Sequence, residues 1–381
     1  GVGHSYQDKE VIANFYNVKG CCYRAFKKYE KAIACFDKAY KTLYDKRTED
    51  SPSKFASLLN KSEAYFMLKR YDDAYATFSE YVETSRNKYG ETSGTYCQAI
   101  FTLANIEGAR GNMNEADCLF RMSMNCLLVN MKQLWRYSTP SQREQFWMET
   151  LNNLSVMAAF AVKCGNFDSE LTETCYNALL FSKSLLLETE KSVVDIIRKE
   201  GTDDDIANYR NLLAVNNRLL VLRNNYEYNK LEIDSLTIQQ RELEQRLSHR
   251  CQSYNEYETY LDINYEKVRN SLADHEVVVD FSDYQTEDSV RQYAAYIYDK
   301  AKSHPLLVKC FDQQQLDSLL DGMQNFTLYN YEQLQDRASK LIWKPIEANI
   351  AKGSTVYYIP SGVMHGIALE ALPLSDGTTL G

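Results

Sequence analysis

The sequence predicts a mainly α-helical protein: a stack of helical hairpins, then a long helical pair, then a closing α/β unit. Three observations carry this prediction. A 42-residue pattern recurs three times near the start; residues 172 to 250 contain no proline and space their apolar residues helically; after Asn270, β-branched and aromatic residues gather into short runs.

The repeat is visible in "GCCYRAFKKYEKAIACFDKAY" (20 to 40), "SEAYFMLKRYDDAYATFSEY" (62 to 81) and "ANIEGARGNMNEADCLFRMS" (104 to 123), which align without gaps. Gly20, Ser62 and Ala104 open each stretch; Ala32, Ala74 and Ala116 follow, then Phe36, Phe78 and Phe120. Small residues let two helices of a hairpin approach closely, and the aromatic fills the next groove, so each unit needs a neighbour to bury its face. A fourth, degenerate unit is expected over 151–184, with "KCGNFDSEL" as its turn and Glu170 where a small residue belongs. Ahead of it, "STPSQREQFW" offers Thr139 or Ser141 as a cap and Pro140 at an early helical position, so a new long helix is expected to start there.

This pattern resembles the tetratricopeptide repeat, whose period is about 34, with about two extra helical turns distributed between helices and loop. The resemblance implies an α-α superhelix with clear units at about 13–46, 55–88 and 97–130, whose first helices line a concave groove that holds peptides. In the family's register the lining residues are Asn14, Asn17, Cys21 and Arg24, then Ala56, Leu59, Glu63 and Phe66, then Gln98, Phe101 and Asn105. That set lacks the paired lysines and arginine with which chaperone-binding members clamp a C-terminal carboxylate, so a chaperone cofactor is not implied. The alternative is that these residues pack against a neighbouring helix of the same chain.

The stretch "CYNALLFSKSLLLETEKSVVDIIRKE" predicts one long helix packed on the last repeat. Gly201 and the acidic run at 203 to 205 mark a break and a new helix start. From there Leu212, Leu219 and Tyr226, and then Leu236 and Leu243, fall seven apart, which fits either a dimerising coiled coil or an antiparallel hairpin. A turn candidate around Lys230 to Asp234 separates segments of similar length and favours the hairpin.

In the last hundred residues, "EVVVDFSDY" (276 to 284), "RQYAAYIYD" (291 to 299) and "PLLVKCFD" (305 to 312) predict three successive strands forming a meander. The segments "QQQLDSLLDGM" and "NYEQLQDRASKLIWKPIEANI" are helical, and "STVYYIP" (354 to 360) returns to strand, so a parallel crossover into a central strand is expected.

The order of these segments, ending in "VYYIPSGVMHGIALEALPLSDGTTLG", resembles the opening half of a CHAT domain, the caspase-like unit that follows tetratricopeptide repeats in bacteria. The whole chain fits that architecture: repeats over 1–184, a helical arm over 185–272 and a partial α/β unit over 273–381. The family implies a cysteine peptidase with a His/Cys dyad at successive strand ends. Both residues are expected downstream of this segment, so no catalytic residue is assigned here. The segment is expected to be an inactive interaction and regulatory scaffold that binds a protein or peptide; the other reading is part of an active peptidase whose dyad lies beyond residue 381. His365 with Gly366 imitates the family's "HG", but every cysteine precedes it. His275 with Cys310 has the right order, yet His275 precedes its strand instead of following it.

Composition sets the remaining bounds. A net charge of −9 and no basic stripe argue against nucleic-acid partners or an anionic membrane surface. Ten cysteines (21, 22, 35, 97, 118, 126, 164, 175, 251 and 310) lack CxxC or metal-type spacing, so reduced thiols, no metal and no cofactor are expected. No apolar run is long enough to span a bilayer, and a cytoplasmic location is expected; a start without Met leaves room for missing upstream residues. Half an α/β domain would expose a strand edge, so self-association through the tail, or its docking on the arm, is also expected.

Overall fold

The structure, a computed structural model, describes residues 6–43, 51–135, 140–165, 167–187, 201–223, 226–250, 262–286, 288–324, 331–374 and 378–379. The chain is mainly helical, with a small mixed sheet near its C-terminus. It divides into two compact units, one of residues 1–137 with 201–250, the other of 138–200 with 251–381.

The first unit begins with three helix pairs: α1 (Tyr6–Ala25) with α2 (Tyr29–Thr42), α3 (Pro52–Met67) with α4 (Tyr71–Tyr89), and α5 (Gly94–Arg110) with α6 (Met113–Trp135). The second helix of each pair starts at 29, 71 and 113, the same 42-residue step as the sequence pattern. The turns repeat as well. Lys27, Lys69 and Gly111 take left-handed backbone angles of +57°, +59° and +91°. The amide of the next residue then donates back into the preceding helix: Lys28 to Tyr23 O, Arg70 to Tyr65 O and Asn112 to Glu107 O, at 2.8, 3.0 and 3.0 Å. This is the bond pattern that satisfies orphan carbonyls at a helix end. Ser51 and Ser93, again 42 apart, cap α3 and α5 by accepting from the amides of Lys54 and Tyr96.

Packing follows the same step. Ala32, Ala74 and Ala116 are fully buried, and Phe36, Phe78 and Phe120 are at most 1% exposed. A Cβ at Gly20 would sit 2.4 Å from the Phe36 ring, so glycine is what lets α1 close on α2 there. At the equivalent position the Ser62 hydroxyl donates to Ala74 O at 3.0 Å. Between pairs, Lys61 meets Asp37 at 2.6 Å and Arg110 meets Asp72 at 2.9 Å.

Helices α9 (Asp203–Arg223) and α10 (Tyr226–Arg250) complete this unit as an intramolecular pair that bears on α4. Thr202 and Asp205 cap α9 reciprocally, the Thr202 amide and hydroxyl both donating to Asp205 Oδ2 and the Asp205 amide returning to Thr202 Oγ1. The turn expected at Lys230–Asp234 is corrected: those residues lie inside α10, and the helices part between Arg223 and Tyr226. The pair Asn224–Asn225 has the lower helix propensity, while Lys, Leu, Glu and Ile over 230–233 continue a helix readily.

In the second unit, α7 (Pro140–Cys164) starts at the expected proline, and α8 (Glu170–Leu187) follows. The part of the expected long helix beyond Leu187 lies outside the described residues. Short α11 (Tyr265–Ser271) leads into β1 (Glu276–Gln285), β2 (Arg291–Asp299) and β3 (Leu306–Asp312), the meander read from the sequence. Then come α12 (Gln313–Gln324), α13 (Tyr331–Ala338), a π-turn (Ser339–Trp343), α14 (Lys344–Glu347) and β4 (Thr355–Ile359). The π-turn sits just before Pro345, which has no N–H to continue an α-helical ladder.

The described strands run in the order β3-β2-β1-β4, with β1 and β4 parallel and the other pairs antiparallel. The crossover is therefore parallel as expected, but β4 stands at the edge of the described strands and not at the centre. Alternation sorts the two faces. Val277, Val279, Phe281, Ala295 and Ile297 pack with Leu316, Ile342 and Ile346 of the later helices. On the other face α7 bears on β1, the Ser155 hydroxyl accepts from the Gln285 amide at 2.7 Å, and Tyr176 of α8 lies 5.0 and 5.2 Å from the Tyr296 and Tyr298 rings. The sheet is thus layered between helices on both faces.

Candidate functional site

Helices α1, α3 and α5, the first of each pair, carry the residues that the repeat register places in a groove. The structure sorts them by depth. Asn17 is 4% exposed: its amide donates to Ser53 O at 2.8 Å and its carbonyl accepts from the Ser57 hydroxyl at 3.0 Å, which ties α1 to α3. Phe101 is 4% exposed and meets Phe120 edge-on at 5.2 Å. Both are interior residues that hold the stack together. Cys21 packs against the Ala32–Phe36 cluster, and Asn105 donates to Phe101 O at 3.0 Å.

What remains open is a mixed polar and apolar row. Asn14, Glu63 and Gln98 are exposed, Leu59 is also exposed, and Phe66 is half-buried against Tyr71 at 5.2 Å. Arg24 and Glu63 form an ion pair bridging α1 and α3. Both are partly solvated, so the pair contributes little to stability.

In the second unit, the C-terminal ends of the parallel strands β1 and β4 border a cleft of about 510 Å³ lined by Asp283, Gln285, Arg291, Tyr293, Gln313 and Gly362. Strand ends of this kind are where open α/β sheets present ligands. Here Arg291 Nε donates to Asp283 at 2.9 Å, Ser361 Oγ lies 3.4 Å from the other Asp283 oxygen, and the Tyr293 hydroxyl donates to Gln313 at 2.8 Å. The polar groups satisfy one another, and the lining contains neither thiol nor imidazole.

The sequence candidates for a dyad fall apart. Cys310 lies in β3 near the bulge opposite Tyr293 and Ala294, level with the end of β1, whereas His275 precedes the start of β1. Eight strand residues separate those levels, roughly 26 Å. Burial pushes the Cys310 thiol up to about 12, the opposite of an activated nucleophile. His365 is exposed in the 3-10 turn Gly362–Gly366.

Two features escaped the sequence reading. Asp280 on β1 is fully buried, with Lys183 of α8 paired to it and the Tyr176 hydroxyl 3.3 Å away. The Tyr298 hydroxyl lies 3.1 Å from that of Tyr176. Burial raises the Asp280 carboxyl above its ordinary value, and it raises both phenols as well. A period-2 strand with one Asp among valines was the available signal. The second feature corrects the expectation of ten free thiols: Cys97 of α5 and Cys126 of α6 are disulfide-bonded, with Cα atoms 5.7 Å apart. Facing positions on packed helices bring them within reach, which spacing along the chain does not reveal.

Among the described residues, no three His, Cys, Asp or Glu side chains gather as a metal site, and no helix is long and apolar enough to cross a membrane. No protein-family model matches the chain, and no curated protein matches it.

Proposed function

We propose that the chain is the repeat, arm and partial α/β region of a CHAT-type protein, an interaction scaffold that binds a protein or peptide along the inner helices of tetratricopeptide-type hairpins. The observation carrying this reading is the shared 42-residue step of helix starts, left-handed turns and buried Ala/Phe pairs, which sets α1, α3 and α5 in equivalent positions and leaves Leu59, Glu63 and Gln98 exposed. The layered α/β unit that follows, with its parallel β1–β4 pair, is consistent with the opening of a caspase-like sheet. Among the described residues neither candidate pair is assembled: Cys310 lies far along the sheet from His275, and His365 follows every cysteine.

A displayed random-peptide library panned on the full chain tests the proposal. Selected peptides should bind the wild type and bind a Leu59→Ala/Glu63→Ala/Gln98→Ala variant about tenfold or more weakly, as expected for loss of contacts worth over 1 kcal/mol. Equal binding to both, or no selected peptide, contradicts it. Incubation with a fluorogenic peptide mixture should give no turnover, and turnover abolished by Cys310→Ser would overturn the inactive assignment.

A further inference from the structure

The two sulphurs of the disulfide between α5 and α6 sit in unlike settings. Cys97 is 1% exposed and closes the first turn of α5, a turn that Ser93 caps and that holds no acidic residue. Cys126 of α6 is partly exposed. Asn130, buried one turn further along α6, donates from Nδ2 to Cys97 Sγ at 3.2 Å and stands 3.9 Å from Cys126 Sγ. On its other side Cys126 Sγ lies 3.2 Å from Glu91 O, in the loop ahead of α5. A disulfide sulphur has no hydrogen to give a carbonyl, so this contact becomes a hydrogen bond only when Cys126 carries a thiol proton. Each sulphur thus faces a partner suited to its reduced form: an N–H for a Cys97 thiolate, a carbonyl for a Cys126 thiol. Beside them, Ser123 Oγ donates to Cys97 O at 2.6 Å and Phe101 meets Phe120, contacts that join the hairpin without the disulfide.

We propose that Cys97–Cys126 is a thiol-exchange site, attacked by a small thiol such as glutathione at Cys126 and releasing Cys97, which locks and unlocks the third hairpin. The attacking thiolate reaches the partly exposed Cys126 sulphur and bonds to it as the Cys97–Cys126 bond breaks. The electron pair leaves on Cys97, where the Asn130 N–H and the positive end of α5 stabilise the new charge. Attack on Cys97 is opposed by its burial, and it would leave the charge on Cys126 against the Glu91 carbonyl. A second thiol then displaces Cys126 from the mixed disulfide. Two thiols are oxidised to one disulfide, and their two protons pass to Cys97 and Cys126, the latter proton facing Glu91 O. Unlocking frees the first turn of α5 from α6, while the Ser123 and Phe101–Phe120 contacts keep the hairpin folded. The exchange does not depend on whether a peptide binds the stack.

Thiol exchange on the oxidised full chain tests the proposal, in a Cys22→Ser/Cys118→Ser background that removes the exposed free thiols. After limiting glutathione, acid quench and alkylation, peptide mapping should find glutathione on Cys126 about tenfold or more above Cys97. Excess glutathione should open the bond within hours. The reduced chain should keep its helical circular dichroism, with amide exchange rising over the start of α5 and around Cys126. Asn130→Ala should slow reduction about threefold or more, because the leaving thiolate loses its donor. A residue that only packed would give the opposite sign, since a looser hairpin exposes the bond and is reduced faster. Glutathione carried mainly by Cys97 overturns the proposal, as does a bond that survives excess glutathione or never forms under glutathione disulfide. Unfolding on reduction also overturns it, and so does an Asn130→Ala chain reduced as fast as the parent or faster.

Discussion

Gly20 shows how much one hydrogen atom carries. Replacing it with alanine would add about 1 kcal/mol of helix propensity, yet the new methyl would meet the Phe36 ring at 2.4 Å. The ring is fully buried between helices and has nowhere to retreat, so overpacking wins. Gly20→Ala is predicted to destabilise by about 1 to 3 kcal/mol in urea unfolding, and Phe36→Leu in the same chain should recover part of the loss. Asp280 gives a pH-dependent prediction. Its carboxyl is held above the ordinary 3.8 by burial, against the opposing pull of Lys183 and Tyr176. The folded state thus holds the proton more tightly than the unfolded chain, and stability falls as pH rises from 3.8 through the raised value. Asp280→Asn cannot titrate, so the wild type should lose stability relative to the variant across that window. A difference that stays constant with pH would contradict the assignment.

At the level of elements, the three hairpin turns make a matched set in which only the third has the residue its backbone prefers. Lys27 and Lys69 occupy the left-handed region at a cost that Gly111 avoids. Lys69→Gly is predicted to stabilise by about 0.5 to 1 kcal/mol and Gly111→Ala to destabilise by about 1 kcal/mol or more, both read from denaturant midpoints. The disulfide joining α5 and α6 closes a segment with a sequence separation of 29. Reducing it, or changing both residues to alanine, should cost about 3 to 4 kcal/mol in the chain-entropy account, and non-reducing peptide mapping should find Cys97 linked to Cys126. Strand positions were legible from residue type, since each run rich in Val, Tyr, Ile or Leu was bounded by polar or turn-forming residues. Helix ends inside the arm were not. Apolar residues at helical spacing occur in both α9 and α10, so periodicity did not separate the end of α9 at Arg223 from the Lys230–Asp234 candidate.

Across the whole molecule, sequence self-similarity located the hairpins because the same small-and-aromatic contacts must recur wherever equivalent helices meet. It could not say which residues of the inner helices stay open. Asn17 and Phe101 share the register of Leu59, yet they are buried while Leu59 is exposed, because in α3 Ser53 O accepts from the asparagine and the Ser57 hydroxyl donates to it, and Phe120 covers the phenylalanine. Nor did periodicity reveal that α7 and α8 join the sheet; that depends on Ser155 meeting Gln285 and on Tyr176 and Lys183 meeting Asp280, pairs far apart in sequence. The account rests on the inner helices being the binding face. The most direct measurement is hydrogen exchange of the full chain with and without a peptide it has selected. Protection confined to the exposed stretches of α1, α3 and α5 around Asn14, Glu63 and Gln98 is the predicted result, and protection confined to the sheet unit, with those helices unchanged, would contradict it.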